Sequence, residues 1–367
     1  LRLTEITAHS FRNLAPVPVS FGAGVTFLVG ENAQGKTNLL EAIGQLCGQR
    51  SFRRAAPAEM AADGERFAVA GSVRRGFESE GLRVEWSRGL GRRFFRAGKP
   101  ATFRDVAAMA PAVFLAPQHC DLVRGAPALR RRFLDRLVLG ARPAAGDDLA
   151  RFERALKERN ALLTRVRYQG EGAPGELEAW TEELVRAGAA VRRHRREALE
   201  EWRPRFEELS REAGPDYAGI RADYAADGQT EEDLRRSCAK LLPRERRRGY
   251  SLAGPHRDDL SWTRQGRPLA WTASSGEVHR TVALAKLAEW HAVFRATGET
   301  PLFAADDFDA GLSPGVVQAF LASLPEGATV ILTTAAEPSR YRHLAAGVLE
   351  IRAGAVALPA MRAAADR

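Results

Sequence analysis

Apolar and polar positions alternate in short runs at the start of the chain, and residues 3–8, 17–21 and 25–29 read as strands. Asn13, Pro16, Gly22 and Gly24 break them. After Gly30 the period lengthens, and Leu39, Leu40, Ile43 and Leu46 fall on one side of a helix predicted over 37–47. Strands return at 67–73, 82–86 and 93–96, separated by glycine turns.

From 118 to 250 the pattern is helical. Leu149, Phe152, Leu156, Leu163 and Val166 share one face; Leu177, Trp180, Leu184, Val191, Leu199, Trp202, Phe206 and Leu209 share another. The glycine-rich stretch 169–175 suits a turn between antiparallel helices, and Pro204 is expected to kink or end the second. At ~1.5 Å per residue the first helix would span about 30 Å, a stubby arm. The same spacing also suits an ordinary bundle. Beyond 250 the chain regains α/β character, with a helix over 281–294 and buried strands at 302–305 and 329–333. The order implies an α/β head made of 1–117 and 251–367, split by a helical insertion at 118–250.

Composition narrows the class. With 45% hydrophobic residues, 367 residues can bury a sizeable core, which excludes a disordered chain. Cys47, Cys120 and Cys238 form no CxxC pair, so neither a disulfide framework nor a zinc site is suggested. No apolar run approaches a membrane span and no signal peptide opens the chain, so a soluble cytoplasmic protein is expected. The net charge of +9 fits an anionic partner such as nucleic acid. Only five residues are lysine, so the excess is an arginine background that codon usage alone could produce.

The strongest chemical signal is Gly30-Glu31-Asn32-Ala33-Gln34-Gly35-Lys36-Thr37, a G-x-x-x-x-G-K-[ST] loop between a strand and a helix. Such a loop curls backbone N–H groups around phosphates, with Lys36 reaching the β/γ-phosphates and Thr37 holding Mg²⁺. Asp306 and Asp307 follow an apolar strand in the Walker B manner. Asp306 would hold Mg²⁺, and Asp307 would orient or deprotonate the attacking water. Without the P-loop, the same acidic pair would read as the start of a surface loop.

Ser274-Ser275-Gly276-Glu277 precedes a helix and resembles the ABC ATPase signature, although a plain helix cap is the simpler alternative. Gln118 stands where that superfamily keeps its Q-loop glutamine, a ligand of Mg²⁺. Phe11-Arg12-Asn13 followed by Gly30-Glu31-Asn32 resembles the SMC-like ATPases. Four further segments resemble the RecF family: 122–127, 130–135, 155–163 and Gly254-Pro255-His256-Arg257-Asp258-Asp259-Leu260. The resemblance runs in order from residue 11 to Asp307.

It implies an ABC/SMC-like P-loop ATPase head with an inserted helical arm. ATP would be bound through Arg12, Asn13, Gly30, Asn32, Gly35, Lys36, Thr37 and Asn38, with Ser274 and Gly276 facing the nucleotide of a second copy. Lys36, Asp306, Asp307 and Gln118 would serve hydrolysis. The family is expected to bind single- and double-stranded DNA, to dimerise with ATP, and to promote RecA loading with RecR and RecO in gap repair and the SOS response. Glu277 in place of the usual Gln, His279-Arg280 in place of Gln-Arg, and Ala310-Gly311-Leu312-Ser313 at the D-loop depart from the family. Asp307 is shorter than the usual glutamate, and no histidine follows the 329–334 segment directly. A switch with slow turnover is expected.

For DNA, residues 71–104 carry nine basic and three acidic side chains, whereas 118–250 carry 28 and 24. Arg74, Arg75, Arg92, Arg93 and Arg96 are the candidates, with a solvated surface as the plainer reading. A transporter nucleotide-binding subunit would share the P-loop, signature and Walker B, but not the basic strands or the RecF segments. A P-loop kinase would lack the 274–276 cradle, and an SMC-like nuclease would need an acidic metal cluster.

Overall fold

The computed structural model describes residues 1–170, 174–308, 328–334 and 345–357, with the single positions 318 and 321. Two compact units result: Leu1–Cys120 with Ser275–Arg367, and Asp121–Ser274.

The first unit is built on two sheets. A largely parallel sheet runs in the order Ala355–Ala357, Gly347–Arg352, Gly24–Val29, Thr329–Thr333, Leu302–Ala305 and Ala112–Leu115. Only its outermost hairpin pairing is antiparallel. The second sheet is antiparallel throughout, in the order Val19–Ser20, Arg2–His9, Arg66–Arg75, Glu78–Ser87, Gly91–Arg96 and Lys99–Ala101.

Helix Lys36–Leu46 serves both sheets. Its Leu39, Leu40, Ile43 and Leu46 join Leu3, Ile6, Val69 and Val84 of one sheet and Leu28, Leu302 and Ile331 of the other in a single core. The helix thus follows a parallel strand whose last four residues are buried, which fixes the loop between them. Helix Ser275–Thr297 begins earlier than the 281–294 expected and is buried along most of its length, including the Lys286–Glu289 ion pair at 2.5 Å.

The second unit contains helices Pro127–Ala141, Gly146–Gln169, Pro174–Glu212 and Glu231–Arg248. The long helix does not end at Pro204. Trp202 and Phe206 stack at 4.5 Å on either side of it and pack with Phe133 and Trp262, so tertiary packing outweighs the lost backbone bond. At ~1.5 Å per residue the first helix, Gly146–Gln169, spans roughly 36 Å and this second one roughly 58 Å.

The expected boundary at 250 also moves. Strand Asp259–Arg264 pairs with Ile220–Ala225, so residues 251–274 fold with the inserted unit rather than the head. Among the described residues no helix is long and apolar enough to cross a membrane.

Candidate nucleotide site

The Gly30–Thr37 loop leaves the Gly24–Val29 strand and turns into helix Lys36–Leu46. Gly30 and Gly35 sit at φ 137° and 114°, which side-chain-bearing residues rarely adopt. A Cβ at Gly30 would lie 2.4 Å from the Ile351 carbonyl oxygen, so the loop also packs too closely for any other residue. Lys36 is buried, its ammonium donating to the carbonyls of Gly30 at 2.6 Å and Glu31 at 2.9 Å. Asn32 is exposed on the loop.

Two strand ends bring the acids to this loop. Leu302–Ala305 lies one strand away from Gly24–Val29, with Thr329–Thr333 between them. Thr37 Oγ1 donates to Asp306 Oδ1 at 2.9 Å, and Thr333 Oγ1 donates to the same oxygen at 2.8 Å. Asp307 has φ 45°, with its N–H bonded to Thr333 Oγ1 at 2.8 Å. Burial raises the pKa of Asp306 above the usual carboxylate value, while the Thr333 and Thr37 hydroxyls pull against that shift.

The donor set fits a nucleotide with magnesium. A strained glycine cradle at a helix N-terminus suits phosphates. A hydroxyl and a carboxylate on one oxygen-rich edge suit Mg²⁺, which takes few protein ligands and completes its shell with phosphate and water. A carboxylate whose charge burial makes costly is one that a cation would relieve.

The flanking residues are arranged differently from the expectation. Arg12 does not point an unpaired charge at the loop. Its guanidinium forks onto buried Glu41, at 2.9 and 3.3 Å, and donates to the Glu59 carbonyl at 2.8 Å. Arg12 therefore braces the helix that carries Lys36 and Thr37. Asn13 accepts from Asn38 Nδ2 at 2.7 Å and donates to the Ala33 carbonyl at 3.3 Å, joining the N-terminal segment to the loop. Gln118 is exposed in the turn Pro117–Cys120, and among the described residues it bonds neither Thr37 nor Asp306. That turn follows Ala112–Leu115, whose Leu115 carbonyl accepts from the Asp306 N–H at 2.9 Å, so it leaves the same end of the sheet. Ser274 and Gly276 are exposed around the start of helix Ser275–Thr297. The D-loop positions Ala310, Gly311, Leu312 and Ser313 lie outside the described residues.

Three features escaped the sequence reading. Thr333 is the second hydroxyl on Asp306. Arg53 donates to Asn38 Oδ1 at 2.7 Å, and its charge helps to hold down the Asp306 pKa. The C-terminal hairpin closes on the loop, with the Gly354 N–H bonded to the Gln34 carbonyl at 2.8 Å and the Ala353 N–H to Gln34 Oε1 at 2.7 Å. Only Thr333 carried a local signal, as a hydroxyl at the end of a buried strand.

The five arginine candidates do not form one surface. Strand alternation puts Arg74 and Arg93 on the outer face of the antiparallel sheet, and Arg75, Arg92 and Arg96 on the face that carries the core. Arg75 pairs with Glu299 at 3.1 Å, Arg93 with Glu85 at 2.9 Å and Arg96 with Glu80 at 2.6 Å; Arg92 is half-buried. Exposed pairs of this kind are screened by solvent and contribute little, so phosphates can displace them at small cost.

Asp306→Asn tests the electrostatics. An acid that holds its proton more tightly in the folded than in the unfolded chain favours folding at low pH and loses that advantage as pH rises through its folded pKa. The amide keeps an oxygen for both hydroxyls and removes the charge. The nucleotide-free variant is expected to melt higher than wild type at pH 7–8, with ATP hydrolysis reduced about 100-fold or more. Melting curves across pH with phosphate-release assays check both halves.

An AAA domain model matches residues 5–105. The DNA replication and repair protein RecF of Anaeromyxobacter sp. (strain Fw109-5) is 37% identical over 358 residues, covering 91% of this chain and 92% of that protein. RecF of Myxococcus xanthus (strain DK1622) is 34% identical, covering 98% and 100%. A solved structure of the recombination mediator protein RecF with ATP, in the RecFOR pathway, superimposes with TM-score 0.87 at 26% identity, covering 97% of this chain and 96% of that one. An Smc head bound to the C-winged helix domain of ScpA, at 14% identity and TM-score 0.53, shares the fold alone. Near-full-length identity above 30% to the two RecF relatives, on an ABC-type head with an inserted unit, means that the chain belongs to the RecF family of DNA replication and repair proteins.

Proposed function

We propose that this chain is an ATP-switched DNA-binding protein of gap repair. ATP sits in the Gly30–Thr37 loop, contacted by Asn32, Lys36 and Asn38 and flanked by Asn13, while Arg12 holds the helix in place. Bound with Mg²⁺, it supplies a phosphoanhydride whose hydrolysis resets the switch. Thr37, Asp306 and Gln118 would hold Mg²⁺, which would neutralise phosphate charge, and Asp307 would orient the attacking water. Ser274 and Gly276 of one copy complete the site of a second, so ATP drives dimerisation. Hydrolysis is slow and stimulated by DNA.

The observation that carries this reading is the Thr37–Asp306 hydrogen bond at 2.9 Å, which joins the two Walker elements across 269 residues of sequence. The ATP-bound RecF structure supports ATP as the ligand, and its RecFOR pathway supports RecO and RecR as partners. RecA loading and the SOS response would lie downstream. Single- and double-stranded DNA would be held mainly through phosphates, with Arg74 and Arg93 on the outer sheet face as contacts. Such work belongs in the bacterial cytoplasm.

The test is DNA binding with and without ATP across a salt series. Tight binding is expected only with ATP, falling steeply as salt rises, because each phosphate contact releases a counterion. DNA binding that is indifferent to ATP, or flat with salt, contradicts the reading.

A further inference from the structure

His279 lies on the second turn of helix Ser275–Thr297 and is buried, with 9% of its surface exposed. Its Nδ1 is 3.6 Å from Cys120 Sγ, at the end of the turn Pro117–Cys120 that also carries Gln118. Its Nε2 is buried and has no hydrogen-bond partner among the described residues. A buried polar atom without a protein partner is one that an ordered water or a ligand group can satisfy.

The surroundings point to a water. Asp307 is near enough for its charge to act on the ring, raising the ring's proton affinity. Burial acts more strongly in the other direction and keeps the imidazole neutral. Asp307 sits in the left-handed backbone region at φ 45°, with its N–H bonded to Thr333 Oγ1 at 2.8 Å, which fixes where its carboxylate leaves the strand end. A constrained carboxylate and an unpaired neutral imidazole thus share one end of the head's central sheet.

We propose that His279 is a further catalytic residue of ATP hydrolysis, its Nε2 accepting a hydrogen bond from the water that Asp307 orients. This rests on the role of Asp307 proposed above. With Nδ1–H directed at Cys120 Sγ, Nε2 is free to accept. Asp307 and His279 each hold one hydrogen of the water, which turns an oxygen lone pair toward the γ-phosphorus. Asp307 takes its proton as the new P–O bond forms and the bond to ADP breaks with its electron pair. His279 transfers nothing; it fixes the water's orientation.

The test compares His279→Leu, His279→Gln and Asp307→Asn as full-length chains. Removing an unpaired polar atom should leave the nucleotide-free His279→Leu protein melting at or above the wild-type temperature, with unchanged ATP affinity. Its hydrolysis at saturating ATP should fall roughly tenfold or more, while KM stays constant. His279→Gln, which retains a polar group, should recover part of that loss. Wild-type hydrolysis by His279→Leu beside a dead Asp307→Asn overturns this inference alone. Normal hydrolysis by Asp307→Asn overturns the underlying reading as well. If His279→Leu melts lower and binds ATP more weakly in proportion, or if it fails to fold and His279→Gln then hydrolyses normally, the residue is a packing element and the proposal fails.

Discussion

Lys36→Arg is expected to reduce ATP turnover by about 100-fold or more, with ATP-induced dimerisation lost. One preorganised donor at a developing charge contributes ~10²–10³ in rate, and the motif provides one lysine for that purpose. The geometry shows why arginine cannot substitute. Lys36 is 6% exposed, and its ammonium lies 2.6 and 2.9 Å from two carbonyls of its own loop. A planar guanidinium is wider than that space and spreads its charge over a fork rather than a point. A Cβ at Gly30 would already clash with the Ile351 carbonyl oxygen, so the loop is closely packed on that side. Phosphate release and ATP affinity, measured together, check the expectation; near-normal turnover would mean that Lys36 does not act on phosphate.

The largest effect on stability is expected in the inserted unit, from Asp258→Ala. Asp258 accepts from Arg192 Nε at 2.9 Å and from a terminal nitrogen at 2.7 Å, and Tyr224 donates to it as well. Both members of the ion pair are 1% exposed. Breaking a buried pair from one side leaves a desolvated charge and costs ~3–5 kcal/mol, far more than the pair's net contribution. Asp227 also touches Arg192 but is half exposed and cannot replace the buried partner. A midpoint loss of roughly 10 °C follows for a unit of this size, read by thermal unfolding. Asp258→Asn, which still accepts hydrogen bonds, should lose less. Asp258 immediately precedes strand Asp259–Arg264, which pairs with Ile220–Ala225, so the loss should reach that sheet.

The P-loop, its strand and its helix were legible because their signals are contiguous: a buried strand, glycines at fixed positions, then a helical period. Asp306 was legible for the same reason. Thr333 and the 353–354 turn were much less so, since parallel pairing brings them to the loop from about 300 residues away in sequence. Arg53 offered only a basic pair after a helix, a pattern that surface arginines also produce. The end of the inserted unit was misplaced for a related reason: strand Asp259–Arg264 finds its partner across an intervening helix. Pro204 shows packing overriding local propensity, with four aromatic rings holding a helix that the backbone alone would interrupt. The arginine cluster was readable and was read too simply. Adjacent residues such as Arg92 and Arg93 must face opposite sides of a strand, whatever their summed charge.

Family membership sets aside the transporter alternative and leaves the composite dimer site as the central claim. The most direct measurement is the oligomeric mass and ATP hydrolysis of Lys36→Arg and Ser274→Arg chains, each alone and then mixed. Each variant alone should remain monomeric with ATP. In a mixed pair, Lys36 of the Ser274→Arg chain can meet Ser274 of the Lys36→Arg chain, so one complete site forms. ATP-dependent dimers and part of the hydrolysis should return on mixing. A Ser274→Arg chain that dimerises and hydrolyses ATP normally by itself would contradict the account.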